Sequence, residues 1–141
     1  MTINEIQDEL IDDFAFYQDW MEKYEYIIQL GKEVPLIQED YKTDDYIIKG
    51  CQSKVWLYPK LEEGKVTFTA DSDAIITKGL VSLMVKVLSG HTPEEIAAAD
   101  LYFIDQIGLK EHLSPTRANG LLSMVKQMKL YAIALKAKGQ L

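Results

Sequence analysis

The sequence predicts an α+β fold: a small antiparallel sheet of about three strands packed against helices. Three observations lead there. Apolar residues recur near helical spacing from Ile6 to Leu30 and again from Ala74 to Ala132. Between those regions lie short stretches rich in β-branched and aromatic residues, from Tyr46 to Ala70. Helix-start and turn signals separate the blocks. The order helices, strands, helices argues for an α+β sandwich and against an alternating α/β sheet.

The elements follow in order. Thr2 and Glu5 can form a capping box, and Ile6, Leu10, Phe14 and Tyr17 supply one helix face. Asp19 with Glu22 reads as a second capping box, so a break is expected near Gln18. The second helix then carries Trp20, Tyr24, Ile27, Ile28 and Leu30, with Gly31 suited to its C-terminal cap. The polar stretch 33–45, containing Pro35, reads as loop. Tyr46–Lys49 and Ser53–Tyr58 read as strands, the second ended by Pro59. Glu62-Glu63-Gly64-Lys65 is a turn candidate, and Val66–Ala70 alternates with period two. Asp73 reads as the N-cap of an apolar run from Ala74 to Leu88. Thr92-Pro93-Glu94-Glu95 and Ser114-Pro115 each open a further helix, the last ending on Lys136 and Lys138, which complement its dipole.

A chain of 141 residues suits one domain spanning 1–141, long enough to build a core without disulfides or metals. The formal net charge of −7 argues against a nucleic-acid backbone as the main partner and is compatible with a basic protein partner. The first residues have no basic or apolar signal region, and the most apolar stretch, 79–87, is far too short to span a bilayer. No membrane partner is expected. With one cysteine and no signal, the expected compartment is the reducing cytosol.

That cysteine, Cys51, sits in Gly50-Cys51-Gln52-Ser53, between an apolar pair and a longer apolar stretch. Gly, Gln and Ser give the composition of a tight connection, so the thiol is expected at a turn or strand end. Without a second cysteine there is no internal disulfide, redox pair or thiolate zinc site. Two readings stand beside each other. Free cysteine often packs as a small hydrophobe. Against that, Lys49 and Lys54 flank it and would favour the reactive thiolate if they stay near.

Other chemistry is sparse. His91 follows Gly90 and reads as a solvated turn residue; His112 could approach Cys51 only through folding, leaving a Cys–His hydrolase pair open. The acids Glu5, Asp8, Glu9, Asp12 and Asp13 read as a solvated helix face. No cluster has metal-ligand spacing and no glycine-rich phosphate loop is present, so no cofactor is expected. Arg117 opens the last helix, where it opposes the dipole; it is either solvated or placed for a carboxylate, with Asp71 and Asp73 the obvious acids.

These residues resemble a known family. Gly50-Cys51-Gln52-Ser53-x-Val55-Trp56, then Asp71-Ser72-Asp73-Ala74 with Lys78-Gly79-Leu80, then His112-Leu113-Ser114-Pro115-x-Arg117-x-x-Gly120 look like the SufE family. Trp20-x-x-Lys23-Tyr24-x-Tyr26-Ile27-Ile28-x-Leu30-Gly31 resembles its N-terminal pattern. The resemblance covers nearly the full chain. It implies an α+β fold similar to IscU-type scaffolds, and a protein that takes sulfur from a cysteine desulfurase (SufS-like), stimulates it, and delivers the sulfur to an iron–sulfur scaffold (SufBCD-like). The pyridoxal phosphate belongs to the desulfurase. Cys51 matches the sulfur-accepting cysteine, on a loop that moves when the desulfurase binds. Gly50, Gln52, Ser53, Asp73, Arg117 and His112 match positions of the supporting loop or the partner surface. A monomer or weak homodimer is expected.

The role is chemically coherent with one cysteine. A second nearby thiol would attack a persulfide, form a disulfide and release sulfide. Cluster scaffolds and zinc-dependent sulfur carriers need several thiolates. The motifs leave open a SufE-like acceptor serving a paralogous desulfurase in another sulfur pathway. A Cys–His hydrolase, a thiol peroxidase and a module with an inert Cys51 are the readings from other classes.

Overall fold

The computed structural model describes residues 1–139. Helices α1 (Ile3–Ala15) and α2 (Trp20–Gly31) lead into a loop with two short 3-10 turns, Glu39–Tyr41 and Asp44–Tyr46. A hairpin follows, β1 (Val55–Glu62) and β2 (Lys65–Ser72). The chain closes with α3 (Ile75–Leu88), α4 (Pro93–Ala98), α5 (Phe103–Ile107), α6 (Leu109–His112) and α7 (Pro115–Gly139).

The expected start signals operate. The Thr2–Glu5 box is reciprocal at 3.1 Å and 3.0 Å, and Thr92–Glu95 repeats it at 3.2 Å and 3.1 Å. Asp19 accepts the Glu22 amide at 2.9 Å, a cap but not the expected box, since among the described residues the Glu22 side chain does not accept the Asp19 amide in return. Ser114 accepts the Arg117 amide at 3.3 Å at the head of α7.

Among the described residues the sheet has two strands, where about three were expected. Tyr46–Lys49 is not a strand. Tyr46 closes a 3-10 turn, and the segment contributes a single bridge, Ile47 to Trp56, plus the Ile48 amide donating to Val55 at 2.8 Å. Gly50, at φ 95°, then turns the backbone away from the ladder.

Pro59 does not end β1, which pairs through it opposite Phe68. The Phe68 amide donates outward to the Ser89 hydroxyl at 2.9 Å, so this pair exchanges no ladder bonds and the missing proline N–H costs nothing. The outer edge of β2 is otherwise covered by Val66 with His91 and by Ala70 with Pro35 and Ile37. His91 is therefore buried rather than a solvated turn residue, with ring nitrogens 3.3 Å from the Leu88 carbonyl and 3.0 Å from that of Met1. Glu63 and Gly64 both take positive φ, 52° and 80°, the two-residue turn that suits hairpin twist.

Helix α3 is the central element, buried at ten of its positions from Thr77 to Leu88 and packed by α2, β2 and α7. A cap by Asp73 was expected; the N-cap is Ala74, with no side-chain cap bond, because the Asp73 carboxylate turns to another partner described below. Gly31 likewise does not cap α2, whose C-cap is Lys32. Instead Gly31 and Gly79 let α2 and α3 touch backbone to backbone. A Cβ on Gly79 would lie 2.3 Å from the Ile27 carbonyl oxygen, and one on Gly31 2.9 Å from the Gly79 amide. Buried Gln7 ties α1 to the start of α5, donating to Asp100 at 3.0 Å and accepting from the Phe103 amide at 3.1 Å.

Candidate functional site

Cys51 lies half-buried on the loop between the Ile47 bridge and β1. Its Sγ is 3.6 Å from the Gly120 carbonyl oxygen of α7, a weak S–H donor bond. Beside it is a small cavity of about 60 Å³. The loop contributes Cys51, Gln52 and Ser53 to its wall; α3 contributes Thr77 and Leu80; α7 contributes Thr116, Arg117, Gly120 and Met124. Fold and sequence motifs therefore meet here: residues from three separate motifs surround one thiol.

Burial pushes the Cys51 thiol pKa up. Lys49 and Lys54 are exposed, so the flanking positive charge does not deliver the lowered thiol pKa their spacing suggested. That burial favours the neutral thiol over the reactive thiolate in the resting loop.

The loop is held at both ends. On the β1 side Lys54 is clamped by three hydrogen bonds. Its amide donates to the Asp73 carboxylate at 3.0 Å, and its carbonyl accepts from the Ser72 hydroxyl at 2.8 Å and the Asp73 amide at 3.2 Å. On the other side Gly50 lies so close to α7 that a Cβ there would meet the Ser123 hydroxyl at 2.5 Å.

The remaining expected residues are placed as follows. Arg117 is exposed on the cavity wall. A direct bond from it to Asp71 or Asp73 is not formed among the described residues. Asp71 pairs with Lys42 at 2.8 Å and Lys78 at 3.3 Å, and Asp73 holds Lys54. His112 does not line the Cys51 cavity. Its ring stacks on Trp20 at 4.0 Å and its Nδ1 is 3.0 Å from the Gly108 carbonyl, while Tyr24 donates to its carbonyl at 2.8 Å. No Cys–His pair forms here. Thr77, Thr116, Ser123 and Met124 were not singled out from sequence; Leu80 and Gly120 were motif positions without a role.

Comparison with known proteins agrees with the motifs. Residues 8–132 match the family model described as SufE, Fe-S metabolism associated domain. The chain belongs to the SufE family. Similar proteins include an uncharacterised SufE-like protein of Rhizobium meliloti (strain 1021), 42% identical over 127 residues, covering 86% of this chain and 91% of that one. Another from Rhizobium etli is 43% identical over 127 residues, with 86% of each chain covered. The SufE-like protein 1, chloroplastic/mitochondrial, of Arabidopsis thaliana is 39% identical over 133 residues; the match covers 94% of this chain but 36% of that longer protein. The fold is shared with the solution structure of a hypothetical protein from Thermus thermophilus, with TM-score 0.76, 18% identity, and coverage of 92% and 94% of the two chains. Among the described residues no helix is long and apolar enough to cross a membrane.

Proposed function

We propose that this chain accepts sulfur onto Cys51 from the persulfide of a cysteine desulfurase, stimulates that enzyme, and passes the sulfur to an iron–sulfur scaffold. The observation that carries the reading is the seating of the chain's single thiol. It sits on a loop, against a helix backbone, with a small cavity beside it walled by motif residues of a SufE-family chain.

The step balances without a redox partner. Once the loop leaves its seat, Cys51 deprotonates and its thiolate attacks the outer sulfur of the desulfurase persulfide. A sulfur–sulfur bond forms on Cys51 as the enzyme's own breaks. The electron pair leaves on the enzyme thiolate, which takes up the proton. The pyridoxal phosphate that generates the sulfur stays with the desulfurase, and this chain supplies no cofactor. A reducing compartment such as the cytosol keeps Cys51 available. Asp73 holds the loop through Lys54, and Arg117, Gln52 and Ser53 form the surface a partner meets first. His112, away from the cavity, serves at most the partner surface.

The test is intact-mass and peptide mass spectrometry after incubating the chain with a cysteine desulfurase, pyridoxal phosphate and cysteine. The mass should rise by one sulfur, located on Cys51. Cys51→Ser should fold, carry no adduct and fail to stimulate sulfide release. Full stimulation by Cys51→Ser refutes the acceptor role.

A further inference from the structure

We propose that Gly120 and Ser123 of α7 are the seat that holds the Cys51 loop closed, and that the absent side chain at 120 sets how often the thiol is exposed. Gly120 is thereby a positioning residue. The inference concerns the regulation of Cys51 and rests on its being the reactive group of the proposed function.

Residues three apart on a helix share a face. Gly120 and Ser123 present that face to consecutive loop residues, Cys51 and Gly50. A Cβ on Gly120 would lie 3.3 Å from the Cys51 Sγ and 3.8 Å from both its Cα and its Cβ. A glycine inside a helix of 25 residues disfavours the helix relative to alanine, so its presence needs a packing reason. The seated thiol supplies one. On the other side, the Ser123 hydroxyl occupies the space that a Gly50 side chain would need, at 2.5 Å from its Cβ position. Two small contacts thus fix two adjacent loop residues against one rigid helix.

The seat also selects a protonation state. The S–H donates to the Gly120 carbonyl, and a thiolate has no proton to donate there and meets the oxygen lone pairs instead. Among the described residues, Arg117 on α7 is the only charged side chain on the cavity wall, while α3 contributes uncharged Thr77 and Leu80; Lys49 and Lys54 on the loop are exposed. Burial raises the thiol pKa in the seat. Closure is therefore fully favoured below the ordinary thiol pKa and is lost as pH rises through the raised, seated value. The thiol becomes reactive as it leaves.

The experiment measures alkylation of Cys51 by iodoacetamide in the free, full chain across pH, alongside thermal melting. Gly120→Ala should speed labelling roughly three- to tenfold, as the added methyl crowds the seat, and Gly120→Val should exceed it. The midpoint of the labelling pH profile should fall toward that of an ordinary cysteine. Ser123→Val, which pushes on Gly50 and leaves Gly120 intact, should also accelerate labelling and keeps the test decisive if Gly120→Val does not fold. A purely helical role predicts a raised melting temperature in Gly120→Ala with labelling rate and pH midpoint unchanged, and that result overturns the proposal. Faster labelling without any persulfide from a desulfurase, in wild type or variants, leaves the seat standing and removes the acceptor function. Persulfide formation with unchanged labelling does the reverse.

Discussion

Replacing Asp73 by alanine should release the Cys51 loop with little damage to the core. The carboxylate accepts the Lys54 amide at 3.0 Å and does not cap α3, so removing it leaves that helix its existing start. One hydrogen bond of this kind contributes about 0.5–1.5 kcal/mol net, and more with a charged acceptor. Both partners are exposed, which keeps the figure near 1 kcal/mol. The two other bonds to Lys54, from the Ser72 hydroxyl and the Asp73 backbone amide, survive the substitution. A loss of about 1 kcal/mol acting on loop closure raises the open fraction about fivefold. Iodoacetamide labelling of Cys51 in the free protein should accelerate by about that factor, while the melting temperature falls by roughly 2–5 °C. Asp73→Asn, which keeps an acceptor oxygen, should recover most of the slow labelling. A lower melting temperature with unchanged labelling would show that the Lys54 clamp stabilises the hairpin without governing the thiol.

Further outcomes follow from the same contacts. Gly79→Ala should destabilise the protein by about 1–3 kcal/mol, because its Cβ would sit 2.3 Å from the Ile27 carbonyl oxygen and only backbone movement can relieve that; an unchanged or raised melting temperature would contradict the close α2–α3 contact. Burial pushes the Asp71 pKa up, but the Lys42 hydrogen bond, the Ser72 amide and nearby Lys78 outweigh it and hold the carboxyl below its ordinary value. Its stabilisation is therefore complete above the ordinary carboxylate pKa and disappears as pH falls through the depressed folded value. Chemical denaturation across acidic pH should show Asp71→Asn converging on wild type at low pH; a constant gap would refute this linkage. Burial, then Asp13, raises the Tyr26 pKa to about 12. Ultraviolet titration should show one tyrosine ionising late, and Asp13→Asn should bring it earlier; a late tyrosine unmoved by that change would leave Asp13 out of the cause.

What the sequence makes legible is local. Thr2 with Glu5, Thr92 with Glu95 and Ser114 with Pro115 mark helix starts because cap and partner lie within one turn of chain. Glu63-Gly64 marks its hairpin for the same reason. The unread features depend on residues distant in sequence. Asp73 looks like a cap because the amide it binds belongs to Lys54, beyond the hairpin. Pro59 looks like a terminator unless the register placing it opposite Phe68 is known. Gly31 looks like a cap until Gly79 is seen against it. Cys51 was legible as the singular chemical group, but its resting state was not. The lysines beside it argued for a thiolate, and only the packing of α7 over the loop reveals a shielded thiol.

The closed loop is fastened weakly enough for a partner to open it. On one side stand three hydrogen bonds to Lys54; on the other, one long S–H bond and the contact of Gly50 with Ser123. Presenting Cys51 breaks the contacts against α7 and loosens the Asp73 bond to the Lys54 amide, while the two bonds to the Lys54 carbonyl can remain as the pivot at the edge of β1. A weak sulfur hydrogen bond, the exposed Lys54–Asp73 bond and the packing of Gly50 on the Ser123 side chain amount to a few kcal/mol at most. A complex of even micromolar affinity supplies about 8 kcal/mol, so a fraction of its binding free energy suffices to hold the loop open. The cost of opening then appears as reduced affinity, not as a failure to bind. Loosening the seat should tighten the complex while exposing the free thiol to adventitious chemistry. A sulfur acceptor that works as proposed trades partner affinity for protection of its one cysteine, with the side chain allowed at position 120 setting that balance.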